Sequence, residues 1–295
     1  MSRWRQIAKT VAHWTVPMGV AEWIRLRRRR RADADGTLSG EEKGILDRNR
    51  ELRDRHAGER CFILATGPSI KKQNLKLLKG ETCIAVSNFF VHPDYKVIQP
   101  KYYCVAGWHP PITEEAWRNW MKDIAAGSGS ATMFFSLADR IRIERQGVYS
   151  QRQAYYLHDK TCDFDASQDV LDITRSVPKP CSVSIMALEI AIYMGFQEIY
   201  LLGCDHDAIM HHNVSRHFYD EKEHAMVRSG YNEWDGVDVE FHCQSYLKLW
   251  GQFKSLRRIA VSRGIRISNA TEGGMLDVFE NVALQSLFTK TAKIE

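Results

Sequence analysis

Four places in this chain collect residue types that handle anions and protons. Thr66-Gly67-Pro68-Ser69 offers backbone N–H groups, two hydroxyls and a glycine that lets a ligand approach the backbone. Such a turn can cradle a phosphate. It can also be a plain strand-to-helix turn with Ser69 as N-cap. Ser182-Val183-Ser184 opens an apolar helical run, whose N-terminal N–H groups and positive dipole end suit an anion. Capping alone would need only one of the two serines. His206, His211, His212, His217 and His224 crowd one stretch, with Asp205 and Asp207 beside them. Their spacing matches no standard zinc site, and no cysteine pair joins them. The set suits proton handling and phosphate charge, with Tyr219 as a further donor to the same anion. His242 stands at the start of a late helical run; by itself it reads as a cap or core residue before it reads as a base.

These residues need a scaffold to bring them together. Residues 60–66, 82–88, 102–106, 131–136, 198–205 and 264–271 read as short apolar strands. Residues 75–78, 112–125, 182–195 and 241–263 read as helices, the third ending on the stop signal Gly195. Unalternating apolar strands separated by helices predict an α/β fold: a mostly parallel, Rossmann-like sheet with helices on both faces. Ligands of such sheets sit beyond the carboxyl ends of the strands. The strand ends here are Thr66 to Ser69, Asn88, Gly107-Trp108-His109, Gly203-Cys204-Asp205 and Asn269 to Gly274. All are polar or glycine-rich, which together suggests a nucleotide-type pocket. The phosphate loop G-x-x-x-x-G-K-[ST], the G-x-G-x-x-G fingerprint, the G-x-S-x-G elbow and H-E-x-x-H are all absent. That argues against a standard Rossmann dehydrogenase, P-loop kinase or serine hydrolase.

The 295 residues are 44% hydrophobic and 26% charged, an ordinary globular balance. The net charge of +5 is unevenly placed. Residues 1–31 hold nine basic residues against the single acid Glu22, so the rest of the chain is mildly acidic. A nucleic-acid-binding globule would spread positive charge over the fold, so nucleic acid is not an expected partner. Trp4, Ile7, Val11 and Trp14 recur at helical spacing, and Arg27 to Arg31 close the segment. A basic amphipathic helix of this kind can lie on an anionic membrane surface. The same pattern would fit a helix packed on its own globule. Residues 32–58 read as a linker with room for a short exposed helix, and residues 59–295 as one Rossmann-like domain. No span is apolar enough for a transmembrane helix, and the N-terminus lacks a secretory pattern. Seven scattered cysteines without a C-x-x-C pair fit buried thiols in a reducing cytoplasm. The expected location is cytoplasmic, peripheral on the inner face of the cytoplasmic membrane.

Three segments carry a family resemblance: Ile63 to Ser69, Ser182 through Asp205, and Ser268 to Gly274. Together they resemble the bacterial superfamily that joins the motility accessory factors and the 6-hydroxymethylpterin diphosphokinase-like domain, and more distantly the family 42 sialyltransferases. The resemblance spans roughly residues 58–280. It implies that Thr66, Gly67, Pro68, Ser69 and Asn88 hold a cytidine nucleotide. Ser182 and Ser184 would contact the nucleotide sugar, and Asp205, Thr271, Glu272 and Gly273 would complete the nucleotide site. His242 would take the acceptor proton. No metal and no cofactor is implied, the nucleotide sugar being a substrate. The chain departs from the sialyltransferases at Asp207, where they carry a tyrosine. The leaving phosphate would then be met by His211, His212 or Tyr219.

The implied activity is glycosyl transfer from a nucleotide-activated acidic sugar to a glycan or lipid-linked acceptor. The alternatives are a Mg²⁺-dependent diphosphokinase of a pterin-like substrate, using Asp205, Asp207 and Glu272, and a non-catalytic nucleotide-binding scaffold.

Overall fold

A computed structural model describes residues 38–109, 112–160, 171–210, 216–220 and 238–289. The basic arm expected over residues 1–31 lies outside them, as do His211 and His212. Nine strands among the described residues form one sheet: β1 (Arg60–Leu64), β2 (Cys83–Val86), β3 (Tyr102–Cys104), β4 (Thr132–Ser136), β5 (Ala154–Lys160), β6 (Ser176–Pro178), β7 (Glu198–Leu202), β8 (Arg266–Asn269) and β9 (Glu280–Asn281). Every neighbouring pair is parallel. The described helices are α1 (Gly40–Asp47), α2 (Tyr95–Ile98), α3 (Glu114–Gly127), α4 (Arg140–Gln146), α5 (Val183–Tyr193) and α6 (Val239–Ser262). The fold is the expected α/β, Rossmann-like one.

The strands are short and apolar because both sheet faces are covered. Side chains alternate across a strand, and both sets are buried. Cys61 and Ile63 join the core beneath α5 and α6, while Phe62 and Leu64 are equally inaccessible on the other face. There Phe62 stacks on Tyr200 and Phe288. Helix α5 shows the same logic. Residues Ser184 to Tyr193 are all buried and, Ser184 and Glu189 apart, apolar, so the helix lies within the core against β1, β2, β3 and α6. Helix α3 instead turns one stripe inward, through Ala116, Trp117, Trp120, Met121 and Ile124. Thr113 caps it, its hydroxyl accepting from the Ala116 N–H at 3.1 Å.

The chain order across the sheet is β6-β5-β4-β3-β2-β1-β7-β8-β9. The first six strands run outward from β1 to one edge, and the chain then returns to place β7 on the other side of β1. The order reverses between β1 and β7, and a crevice opens at the carboxyl ends of strands at such a point.

Where a linker is expected over residues 32–58, residues 41–58 are part of the globule. Leu46 and Leu52 are fully buried. The Asn49 amide donates to the carbonyls of Tyr156 and Ile173 at 2.8 and 2.7 Å. None of the six described cysteines is in a disulfide; Cys61, Cys83, Cys104 and Cys204 are buried, Cys181 and Cys243 exposed. No described helix is long and apolar enough to cross a membrane.

Candidate active site

A cavity of about 870 Å³ opens at the carboxyl ends of β1 and β7. Thr66, Gly67, Pro68, Ser69, Ser182, Ser184, Asp205, Glu272, Gly273 and His242 all line it. Residues from five separate strand or helix ends thus meet in one place.

The turns after β1 and β7 are knotted together. The Gly67 N–H donates to the Gly203 carbonyl at 2.9 Å. A Cβ on Gly67 would stand 1.9 Å from Asp205 Oδ2 and 2.5 Å from that carbonyl oxygen. The space the glycine leaves is taken by Asp205, not held open for a ligand. Ser69 points the same way. Its N–H donates to Asp205 Oδ1 at 3.0 Å and its hydroxyl to Oδ2 at 2.8 Å. The phosphate-cradling donors expected of Ser69 are therefore engaged on a buried carboxylate. Burial raises the Asp205 carboxyl above its ordinary range, with the Ser69 bonds pulling the other way. Gly274, at φ +80°, closes the third side; a Cβ there would meet the Asp205 carbonyl at 2.6 Å.

The first turn of α5 faces the cavity. Ser182 is its N-cap: its hydroxyl accepts from the Ser184 N–H at 3.3 Å and bonds the Ser184 hydroxyl at 2.9 Å. One serine caps and the second is tied to it, at the positive end of a buried helix. Gln252 of α6 fixes the approach to this turn, accepting from the Cys181 N–H and donating to the Lys179 carbonyl, both at 2.8 Å.

His242 lies in the first turn of α6. Asp238 caps the helix by accepting from the Phe241 N–H at 2.8 Å, which starts α6 earlier than the apolar pattern implied. His242 is buried at the cavity wall, and its Nε2 lies 3.3 Å from Arg216 Nη2. Arg216 is positioned through its neighbours. The Phe218 N–H donates to the Thr66 carbonyl at 2.9 Å, and His217 Nδ1 is 3.1 Å from the Thr66 hydroxyl.

His206 also lines the cavity, at the unusual φ of +47° for a residue with a side chain. Its Nε2 is buried with no hydrogen-bond partner, and the ring leans on Trp250 and Phe253. Burial pushes its pKa down to about 4, so it is neutral at pH 7. Tyr246 is a further wall residue, its phenol raised by burial.

Several expected site residues stand elsewhere. Asn88 does not line this cavity; its Oδ1 accepts from the Trp120 indole N–H at 2.6 Å. Thr271 serves the fold, its hydroxyl accepting from the Cys204 N–H at 3.0 Å and its N–H donating to Asn269 Oδ1 at 3.1 Å. Tyr219 is absent from the lining and stacks on His217 at 4.9 Å. His211 and His212 lie outside the described residues. Lys72, Arg216 and Lys248 bring positive charge that the motifs did not signal. Arg216 sat within the histidine-rich stretch, where nothing in its spacing distinguished it.

The chain matches no family model and no curated protein. Among solved structures it is similar to the sialyltransferase CstII from Campylobacter jejuni. With the substrate analogue CMP-3FNeuAc the identity is 13% and the TM-score 0.44, covering 76% of this chain and 86% of that one. With cytidine-5'-monophosphate the figures are 15%, 0.47, 77% and 86%. The structure with a trisaccharide acceptor and CMP gives 15%, 0.45, 76% and 86%.

Proposed function

We propose that this chain is a metal-independent glycosyltransferase. Its donor would be a nucleotide-activated, CMP-linked acidic sugar, and its acceptor a surface glycan or a lipid-linked precursor. One observation carries the reading. The N-terminus of α5 and His242 open into a single cavity at the reversal point of the sheet, bordered by the three motifs of the sequence resemblance. An anion-binding helix end and an imidazole in one cleft are what displacement of a phosphate by a hydroxyl requires.

His242 takes the acceptor proton at Nε2 as the hydroxyl oxygen attacks the anomeric carbon. The bond from that carbon to the phosphate oxygen breaks, and its electron pair leaves on the phosphate. The α5 dipole with Lys72, Arg216 and Lys248 meets that charge. The diphosphokinase alternative needs carboxylates at the phosphates. Asp205, the first of its three acids, has both oxygens engaged by Ser69. Residues 1–31 are proposed to hold the protein at the inner membrane face, where a lipid-linked acceptor would lie.

Thermal-shift titration with CMP, CDP, UDP, GDP and ATP, each with and without Mg²⁺, tests the reading. A ligand at ~100 times its Kd adds about 2.7 kcal/mol of apparent stability. The expected result is a response to CMP or CDP that is indifferent to Mg²⁺. A response only to ATP with Mg²⁺ would overturn it in favour of the diphosphokinase.

A further inference from the structure

Arg216 and His242 reach the cavity from different elements. Arg216 hangs from the end of β1 through the Phe218–Thr66 bond, and the Phe218 ring packs on Phe89 and His92. His242 is held in the first turn of α6. Between them, Arg216 Nη2 lies 3.3 Å from His242 Nε2. A guanidinium stays charged and has no acceptor, so it can only donate. With Arg216 as the donor, His242 Nε2 takes the acceptor role in this contact, which is open to the tautomer that carries its proton on Nδ1. The nitrogen assigned to take the proton is the one that Arg216 covers.

A phosphate is the stronger partner for that guanidinium. It can accept two parallel charge-assisted bonds, each roughly twice as strong as a neutral one. We propose that Arg216 is a positioning residue that gates His242. It caps Nε2 until a phosphate in the cavity competes for it. The phosphate then draws the guanidinium onto its own oxygens and uncovers the lone pair. The one movement readies the base and brings positive charge to the leaving group. In the transfer step the acceptor O–H bond breaks and its proton goes to Nε2. The new C–O bond forms at the anomeric carbon, and the departing electron pair stays on the phosphate that Arg216 now holds. The order of events follows: donor first, base second. The identity of the anion rests on the glycosyltransferase reading, whereas the gate needs only a phosphate.

The test uses the full chain with ¹⁵N-labelled histidine side chains, the His242 signal being identified by its loss in His242→Gln. CMP and inorganic phosphate are titrated separately at fixed pH, with binding followed in parallel by Tm. In the wild type both anions should move the His242 Nε2 resonance towards its position in anion-free Arg216→Gln. In Arg216→Gln neither should move it. Arg216→Lys keeps the charge but not the planar fork, and should respond with affinity about tenfold lower. A Tm that rises with CMP while Nε2 stays still overturns the gate and leaves the donor reading intact. So does a resonance that moves equally in wild type and Arg216→Gln. A response to phosphate with none to CMP keeps the gate and overturns the cytidine donor. Silence to both anions overturns both.

Discussion

Ser69 gives Asp205 two hydrogen bonds, one from its backbone N–H at 3.0 Å and one from its hydroxyl at 2.8 Å. The pair ties the turn after β1 to the turn after β7, the two strands between which the chain order reverses. It turns the most recognisable motif of the sequence inward. The Gly-Pro-Ser turn lines the cavity with Ser69 engaged on Asp205, beside residues of α5, α6 and the segment at Arg216.

The Ser69–Asp205 bond gives a pH-dependent stability effect. Burial raises the Asp205 pKa, so the folded state holds that proton more tightly than the unfolded state does. Its contribution to stability is therefore greatest at low pH and is lost as pH rises through the raised value. Ser69→Ala removes a donor that favours the charged form and raises the pKa further. It should cost about 1–3 kcal/mol at pH 7 and distinctly less at pH 4. Urea unfolding at the two pH values measures this, and a loss independent of pH would contradict it.

Two glycines should respond to alanine with opposite signs. At Gly67 the added carbon would collide with the Asp205 carboxylate and with the Gly203 backbone oxygen, which cannot swing aside. Gly67→Ala should cost roughly 2–4 kcal/mol. Gly251 lies within α6 with nothing within 4 Å of its missing Cβ. Gly251→Ala should stabilise by about 0.5–1 kcal/mol through helix propensity. Denaturant midpoints of the two variants, at unchanged slope, decide both.

His206 should make the fold sensitive to mild acid. Its pKa falls from the ordinary 6.5 to about 4 through burial. The stability this neutral ring contributes is complete above pH 6.5 and is lost as pH falls towards 4, up to about 3 kcal/mol. Asparagine tolerates the positive φ that His206 adopts. The stability of His206→Asn should thus fall less than that of the wild type over this window. Parallel curves for the two proteins would show that His206 is not the group titrating.

Much of the sheet was legible because parallel strands buried on both faces read as unbroken apolar runs. Cys83 to Val86 and Glu198 to Leu202 are of that kind. Strand β5 escaped notice. Its buried Tyr155, Tyr156 and Leu157 run directly into His158, Asp159 and Lys160, so the run looks amphipathic and short. Residues 41–58 escaped for a related reason, since Leu46 and Leu52 are isolated among charges. Within the site, strand ends announced where to look but not which way side chains turn. Asn88 stands where expected, yet its oxygen is satisfied by Trp120, 32 residues away. The Arg216–His242 contact spans 26 residues of sequence and has no periodic signature.

The basic arm carries its own prediction. Each arginine near an anionic leaflet is worth about 1 kcal/mol, and Arg27 to Arg31 are five in a row. Replacing all five with alanine should abolish sedimentation with phosphatidylglycerol vesicles and leave CMP binding unchanged. If the variant still sediments, the arginines are not what holds it to the vesicle. If the wild type does not sediment either, the arm has no affinity for that surface.

His242→Gln tests the base assignment most directly. Glutamine keeps a polar group at the cavity wall but cannot take a proton at neutral pH. General-base help is typically worth ~10²–10⁴-fold, so kcat should fall within that range. The Ser182–Ser184 turn and the cavity cations stay in place, and the glutamine Oε1 can still accept from Arg216, so donor KM should move little. A fall in kcat at constant KM removes an interaction made only in the transition state, which is the signature of a base. A matching rise in KM would instead mark His242 as a ligand of the donor. Full activity in the variant would leave another group to take the acceptor's proton, and Tyr246, on the same wall, would be the next to replace.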